Sequence, residues 1–414
     1  MGKHLIVIGG GAAGFFCAIN AARMDRSLKV TIIEKSNKLL SKVRVSGGGR
    51  CNVAHACFDI AEMSKQYPRG QHFVKKSFHQ FFTTDTIKWF EERGVMLKIE
   101  EDGRMFPVTD SSQTIIDCLL KETNKYGVDI LMNREVKRIN AQRSMFNIQC
   151  SNGENLDADF ICIASGGYPK SSMFDWLKEL GHTIEEPVPS LFTFNLPNHQ
   201  ITKLMGVSVE KSKVKIQNSK LEEEGPLLIT HWGLSGPVVL RLSAWGAREL
   251  KIRNYELGII INWLPDYNEE SLRKKFVELR NAKASQKVIN KNSFGLPSRL
   301  WEFLAEQSGI KNEWRWADLP SAQQNKFIKN LCNYECDVKG KTTFKEEFVT
   351  AGGIKLSEVD ANTMMSKKIP NLFFAGEVLD VDGITGGFNF QHAWTSGWAA
   401  ARAIAFSSDV RRET

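Results

Sequence analysis

Three glycines at Gly9-x-Gly11-x-x-Gly14 follow the apolar run 5–8 and precede a small-residue stretch reaching about residue 23. This spacing suits a pyrophosphate. The first glycine makes the tight turn, the second admits the anion, and the third lets helix and strand pack closely. The backbone N–H groups of Ala12 and Ala13 then open a helix and point at the anion. A second apolar run, "KVTIIEK" at 29–35, carries Glu34 about 20 residues past Gly14, where a carboxylate accepts hydrogen bonds from ribose hydroxyls. A glycine turn alone is a weak signal. Strand, glycine turn, helix, strand and acid in this order predict a dinucleotide site. An acid at position 34 favours FAD or NAD over NADP, whose 2′-phosphate it would repel.

The elements that follow separate FAD from NAD. After Glu34 comes "SNKLLSKVRVSGGGRCNVAH" (36–55), in which Gly47, Gly48 and Gly49 precede Arg50, Cys51 and Asn52. Such a loop brings backbone N–H groups near a flat ring or a phosphate; the plainer reading is a surface turn. "DFICIASGG" (159–167), with Ser165 and Gly166, resembles the strand end that covers FAD in flavoproteins with two dinucleotide-binding domains. "IPNLFFAGE" (369–377) is a buried strand ending in Gly376 and Glu377, and the acid there is expected at the ribityl chain. The late loop brings Gly386, Gly387, Phe388, Asn389 and Phe390 to the start of a helix. Its N-terminus would face the flavin pyrimidine edge, where reduction builds negative charge. Lys35, Lys42 and Val136 complete the expected cofactor contacts. A domain binding NAD alone has no use for this returning element, so FAD is the expected cofactor.

The segments "GGGAAG", "SGGGRCN", "GRMFPVTD", "THWGLSGPVVL", "TAGGI" and "FFAGEVLDVDGITGGFNFQ" resemble a family of bacterial predicted flavoproteins, sometimes labelled aminoacetone-oxidase-like FAD-binding enzymes. The resemblance runs from the first strand to the last helix. It implies an α/β fold: a Rossmann-type two-dinucleotide-binding FAD domain built from both termini, with an inserted small β-barrel and a helical subdomain. The expected divisions are 1–188 and 336–414 for the FAD-binding domain, 189–264 for the barrel and 265–335 for the helices. One departure follows "SGGYPK": the family's glycine- and threonine-rich run is replaced by "SSMFDWLKELGH" (171–182), so substrate identity does not transfer.

In the insertion, "LLITHWGLSGPVVLRLS" (227–243) admits two readings. Ser235 caps the apolar helix that follows, or His231 and the Gly-Ser-Gly turn cover the open flavin face. In the second reading His231 is the catalytic proton donor or acceptor. Cys51 and Cys57 have the wrong spacing for a redox-active pair, so Cys51 is expected as an inert thiol near the flavin. Cys332 and Cys336 lack further ligands for zinc. Asp380 and Asp382 have too few neighbouring oxygen ligands for calcium and are expected to fix their loop. No metal is expected. Asn389 and Gln391 follow the glycines as candidates for the pyrimidine edge, where backbone N–H groups alone could also serve. Phe388, Phe390 and Trp394 either line the site or pack the core.

The 414 residues suggest two or three domains. Net charge is +8, from 55 basic and 47 acidic side chains that look evenly spread. The basic run 209–220 reads as one exposed face of a strand pair, and without a basic stripe a nucleic-acid partner is not expected. No apolar run reaches bilayer length. Neither a signal peptide nor a myristoylation signal is read at the start, and the 8 cysteines form no disulfide framework. A cytoplasmic location is the expectation. The reading is a FAD-dependent oxidoreductase that transfers hydride between a small organic substrate and flavin. NAD(P)H, bound only transiently, or oxygen would be the electron partner. The rival is a non-catalytic or RNA-associated FAD-binding protein. Oligomeric state is not legible.

Overall fold

Apolar runs at both ends of the chain build one parallel sheet. In the computed structural model, which describes residues 2–141, 145–290, 292–343 and 349–407, five parallel strands lie in the order Leu372–Phe374, Phe160–Ile163, His4–Ile8, Lys29–Glu34 and Asp129–Met132. The central strands are buried on both faces, which is why residues 5–8 and Phe160–Ile163 read as runs of Ile, Val, Leu, Phe and Cys. From His4–Ile8 the chain crosses through the helix Ala12–Met24 to the neighbour Lys29–Glu34, while Phe160–Ile163 pairs on the other side. The crevice at the carboxyl end of the first strand is therefore where an α/β sheet binds ligands.

The last helix, Phe388–Phe406, packs against the first helix. A Cβ on Gly397 would come within 2.6 Å of the Ala13 carbonyl oxygen, so only glycine permits this approach. The chain forms two compact units, residues 1–190 with 345–414, and residues 191–344.

The second unit is an antiparallel sheet that rolls closed. Its strands run Tyr334–Lys339, Glu256–Asn262, Ser208–Ile216, Glu222–Ile229, Gly233–Ser235, Thr193–Asn195 and Lys341–Thr342. Tyr334–Lys339 pairs with Glu256–Asn262, and two residues later the same stretch pairs with Thr193–Asn195. The Asn195 N–H donates to Gly340 O across that seam (3.1 Å). Two expected boundaries are thereby corrected. The stretch beginning at residue 336 belongs to the inserted sheet, because its alternating Tyr334, Cys336 and Val338 face that core. The helices Glu269–Ala282, Ser298–Gln307 and Ser321–Cys332 share one apolar cluster with the strands, through Phe276, Trp301 and Phe327 beside Ile259 and Ile261. They are not a separate subdomain.

A polar cluster in the FAD-binding unit supplies a pH-dependent stability. Glu358 accepts from the Thr183 N–H (3.0 Å) and bonds His182 Nδ1 (3.0 Å), and Lys368 pairs with its other oxygen (2.8 Å). Burial pushes this carboxyl up, but Lys368, Thr183 and His182 outweigh burial and hold it down at about 2, against an ordinary 4.5. A depressed carboxyl stabilises the fold above 4.5 and loses that contribution as pH falls toward 2. Glu358→Gln is expected to cost a few kcal/mol at neutral pH, on the order of the linkage for such a shift. It should also flatten the loss of Tm between pH 4.5 and 2, as measured by thermal unfolding across that range.

Candidate functional site

The glycine turn of the first strand is held open by its own geometry. Gly9 adopts φ +117°, and a Cβ there would lie 2.3 Å from Ala164 O. A Cβ on Gly14 would lie 2.0 Å from Gly9 O. Gly11 differs, for a Cβ there meets nothing within 4 Å. The protein leaves this backbone edge uncovered. Gly11 also begins the helix Ala12–Met24 with no side-chain cap, so first-turn N–H groups face the same opening. A bound pyrophosphate fits that cradle. Gly11→Ala is accordingly expected to leave Tm within about 1 °C while weakening FAD binding by roughly tenfold or more, as read by calorimetric titration of the apoprotein. Gly14→Ala should instead disturb the fold.

Beside the cradle lies a cavity of about 320 Å³. Glu34, Lys35, Val136, Ser165, Tyr168 and Trp176 are among its lining residues. Glu34 stands at the end of the second strand, with Oε2 accepting from the Gly10 N–H (2.9 Å) and Oε1 from the Ser36 N–H (3.0 Å). The carboxylate thus ties the glycine turn to the neighbouring strand while bordering the cavity. Lys35 lies over the Tyr168 ring (5.3 Å). Gly166 takes φ +76° with open space at its Cβ position. The cavity has the polarity of a nucleoside site, with an acid, hydroxyls and aromatic walls.

The second glycine loop is preceded by a helix that sequence reasoning did not anticipate. Ser41 opens it; it breaks at Ser46, and Gly47, Gly48 and Gly49 follow with φ of 59°, 69° and 85°. Only Gly47 is crowded, against the Phe106 ring; Gly48 and Gly49 present open backbone. Lys42 pairs with Glu377, whose other oxygen accepts from the Thr350 N–H (2.8 Å). Glu377 is thereby fixed between the second loop and the strand Val349–Ile354, which also explains "TAGGI". A Cβ on Gly353 would strike Val378 O at 2.3 Å.

The late loop closes on itself and on the early chain. Asn389 Oδ1 accepts from the Gly383 N–H, and its Nδ2 donates to Gly383 O, both at 2.9 Å. The Asn389 amide is therefore spent on loop closure rather than on the pyrimidine edge. Gln391 is buried with Thr86 and Thr395, a structural place as well. Gly387 starts the last helix with φ +96° and no side-chain cap. A Cβ there would meet Ala54 O at 2.4 Å. Asn52, with its amide turned to satisfy both ends, accepts from the Gly387 N–H (3.0 Å) and donates to Ala54 O (2.9 Å). Ten residues separate Gly387 from Gly397, which meets the first helix; at the helical rise that is about 15 Å. Both of these helices begin without a side-chain cap, at Gly11 and at Gly387.

Several residues that no sequence motif marks complete this end. His55 stacks on Phe388 (4.6 Å), its Nδ1 bonds Gly386 O (3.0 Å), and burial lowers its pKa. The Tyr67 hydroxyl donates to Phe388 O (2.6 Å). Arg69 pairs with fully buried Asp382, which also accepts from Ser190 Oγ (2.8 Å). Their signal, the short "QYPRG" before a helix, lacked any visible partner. Phe390 stacks on Trp394, whose indole donates to Val53 O (2.9 Å), so these rings pack the helix onto the second loop.

Two expected roles change, those of Arg50 and Ser235. Arg50 is engaged by Glu100 and Asp110 and lies over the Phe106 ring (3.9 Å), bracing its loop. Ser235 sits in a strand; Gly236 caps the following helix, with Pro237 in its first turn. His231 lies in the second unit, exposed and edge-on to Trp232 (4.4 Å). Cys51 is buried, with its thiol pushed up to about 12, an unreactive state. Among the described residues no group of His, Cys, Asp and Glu could hold a metal ion.

Comparison with known proteins follows the whole chain. The family described as "HI0933-like protein Rossmann domain" matches residues 3–403. The ribosomal RNA dihydrouridine synthase of Escherichia coli (strain K12) is 32% identical over 409 residues, covering 96% of this chain and 97% of that protein. The 3-dehydro-bile acid delta(4,6)-reductase of Clostridium scindens is 28% identical over 408 residues, covering 96% and 98%. Among solved structures, 3-ketosteroid-delta4-(5alpha)-dehydrogenase from Rhodococcus jostii RHA1 superimposes with a TM-score of 0.52 over 97% of both chains. At 12% identity that likeness speaks for the fold alone. From its first strand to its last helix, the chain belongs to the HI0933-like family and is a FAD-dependent oxidoreductase.

Proposed function

We propose that this enzyme reduces a C=C bond conjugated to a carbonyl, and that its substrate is a uracil base in RNA. The carrying observation is that similarity to a protein named as a ribosomal RNA dihydrouridine synthase and to one named as a bile acid reductase spans the insertion as well as the FAD-binding unit. Their named substrates differ, yet the bonds share one chemistry. Uracil C5=C6 is conjugated to the C4 carbonyl, and a delta(4,6) diene beside a 3-ketone is the extended version. In both, one carbon accepts a hydride and its neighbour accepts a proton.

Bound FAD supplies the two-electron carrier, replenished by a transient nicotinamide. The residues have separate tasks. Ala12 and Ala13 would offer N–H groups to the pyrophosphate, and Glu34 would accept from the ribose. Glu377, steadied by Lys42 and Thr350, would receive the ribityl hydroxyls. The helix that begins at Gly387 and Phe388 would stabilise negative charge developing on the reduced ring. Asn389, Asn52 and the Arg69–Asp382 pair hold that terminus still. His231, exposed and edge-on to Trp232, is the proposed proton donor.

RNA is favoured over a steroid by charge. The inserted unit carries 23 basic and 16 acidic side chains, a net +7, whereas the FAD-binding unit carries 32 and 31, a net +1. The apparently even spread hid this asymmetry, and it supports a polyanionic substrate.

The test is anaerobic. FAD-loaded enzyme is reduced with NADH or NADPH, or with dithionite where neither acts, then mixed with an unmodified ribosomal RNA transcript or a 4,6-dien-3-one steroid. Return of the oxidised flavin spectrum with RNA, and dihydrouridine in its nucleoside digest, supports the reading. Turnover of the steroid alone keeps the bond type and removes RNA. Failure with both overturns the proposal.

A further inference from the structure

We infer that a cationic ribbon on the inserted unit, formed by Lys287, Lys311, Trp314 and Arg315, binds the phosphodiester backbone of RNA. The inference rests on the RNA reading above. Its evidence lies wholly within the inserted unit.

Two loop segments run antiparallel here. The Val288 N–H donates to Trp314 O (3.0 Å), the Trp316 N–H to Gln286 O (3.0 Å), and the Ala317 N–H to Ala284 O (3.1 Å). This pattern makes Lys287 and Arg315 directly opposed residues of an isolated bridge. They occupy the non-hydrogen-bonded position, where Cα atoms approach to about 4.5 Å and side chains leave the same face. Both are exposed. Among the described residues neither forms an ion pair, although Glu313 and Asp318 lie in the same segment. Like charges directly opposed are destabilising. A fold that retains such a pair without a carboxylate between them offers a place for an anion.

The ribbon is rigid. Val288 and Trp316 are buried in the apolar cluster, and Trp316 meets Phe276 edge-on (5.2 Å). The Arg280 guanidinium donates to Trp316 O (3.0 Å) and to Leu319 O, pinning the second segment. Trp314, half-buried against the same cluster, has the Lys311 ammonium over its ring (5.8 Å). Cations alternating with an indole match single-stranded nucleic acid, whose phosphates meet the charges while a base stacks on the ring. An acidic peptide would use the charges but not the indole.

The other basic run on this unit lacks these properties. Lys211 pairs with Asp266 (2.5 Å) and Glu224 (3.6 Å), and Lys213 pairs with Glu222 (2.7 Å). Those lysines are neutralised across strands, so the run 209–220 is a solvated strand face, as its sequence suggests. A solvated face is also the plain alternative for the ribbon, and substitution separates the two.

Lys287→Glu creates a Glu–Arg cross-strand pair in place of a like-charge pair, so the fold is retained or gains stability. The measurement is fluorescence anisotropy of a labelled ribosomal RNA fragment bound to FAD-loaded enzyme across a salt series. Arg315→Gln serves as the second variant. Both variants are expected to lose roughly tenfold or more in RNA affinity. The salt slope should flatten by about 0.7 for each phosphate the variant no longer neutralises, while flavin reduction by dithionite is unchanged. Wild-type affinity and slope in both variants would overturn the ribbon. Competition by polyglutamate as strong as that by RNA would overturn it in favour of an acidic protein partner. If the ribbon binds RNA but wild-type enzyme forms no dihydrouridine, the substrate reading fails and the ribbon stands. Dihydrouridine formation with equal KM in wild type and Lys287→Glu sinks the ribbon alone.

Discussion

Glu34→Arg should yield a folded protein that leaves purification nearly free of flavin. The carboxylate stands where the second strand meets the cavity and has two jobs. It accepts from the Gly10 N–H at 2.9 Å, which holds the glycine turn against its neighbour. Its remaining acceptor capacity faces the cavity, where ribose hydroxyls would donate. A guanidinium has no acceptor, so both jobs end at once. Hydrogen bonds to charged groups are worth about 1.5–3 kcal/mol each. Losing the ribose bonds alone should weaken FAD by roughly 100-fold. Glu34→Gln keeps one acceptor oxygen and should fall between, near tenfold. The measurement is visible flavin absorbance relative to protein after gel filtration, followed by titration of apoprotein with FAD. Full flavin occupancy in the arginine variant would remove Glu34 from the ribose site.

That prediction was legible in the sequence because its causes are local. An all-apolar run must be a strand buried on both faces, and glycines at 9 and 14 are forced by contacts within a few ångströms of one turn, while Gly11 leaves its backbone edge open. The acid is then carried to the same strand ends by parallel pairing in register, Ile8 beside Ile33. The parallel sheet, the two-ended FAD-binding unit and the closing of the late loop on the early chain all follow from such patterns.

What escaped depends on partners far apart in the chain. Asn389 has the chemistry of a flavin contact, but Gly383 folds back to consume both ends of its amide. Arg50 looks available beside three glycines, until Glu100 and Asp110 arrive from the segments after the strands Leu97–Ile99 and Arg104–Pro107. His55 and Tyr67 carry no motif, and acquire significance only when Gly386 and Phe388 are laid against them. Ser235 had the right type for a cap, yet Pro237 sets the helix start and moves the cap to Gly236. The charge asymmetry escaped for another reason. Basic and acidic residues alternate along the chain, and only the division into two units shows that nearly all of the excess lies in one.

Asp382→Asn is expected to be the most destabilising conservative substitution near the site. Asp382 has no exposed side-chain surface, and its partner Arg69 is 9% exposed. Arg69 Nε reaches one carboxylate oxygen (2.5 Å), its terminal nitrogen reaches the other, and Ser190 Oγ adds a third donor (2.8 Å). An amide of equal size turns an N–H₂ toward one of these donors and takes the Asp382 charge away from the buried guanidinium. Removing one partner of a buried pair costs about 3–5 kcal/mol, a fall in Tm on the order of 10 °C for a chain of this size. The same pair bridges Arg69 to the loop that leads to Gly387, so FAD should dissociate well before the rest of the unit melts. Differential scanning calorimetry with flavin fluorescence measures both events. The double variant Arg69→Met/Asp382→Leu removes both charges and should recover much of the lost stability. It should not recover tight FAD binding, because apolar side chains cannot fix the loop's direction as the two-pronged ion pair does. A single Asn variant within 1 °C of wild type would show that the pair is not what anchors this loop.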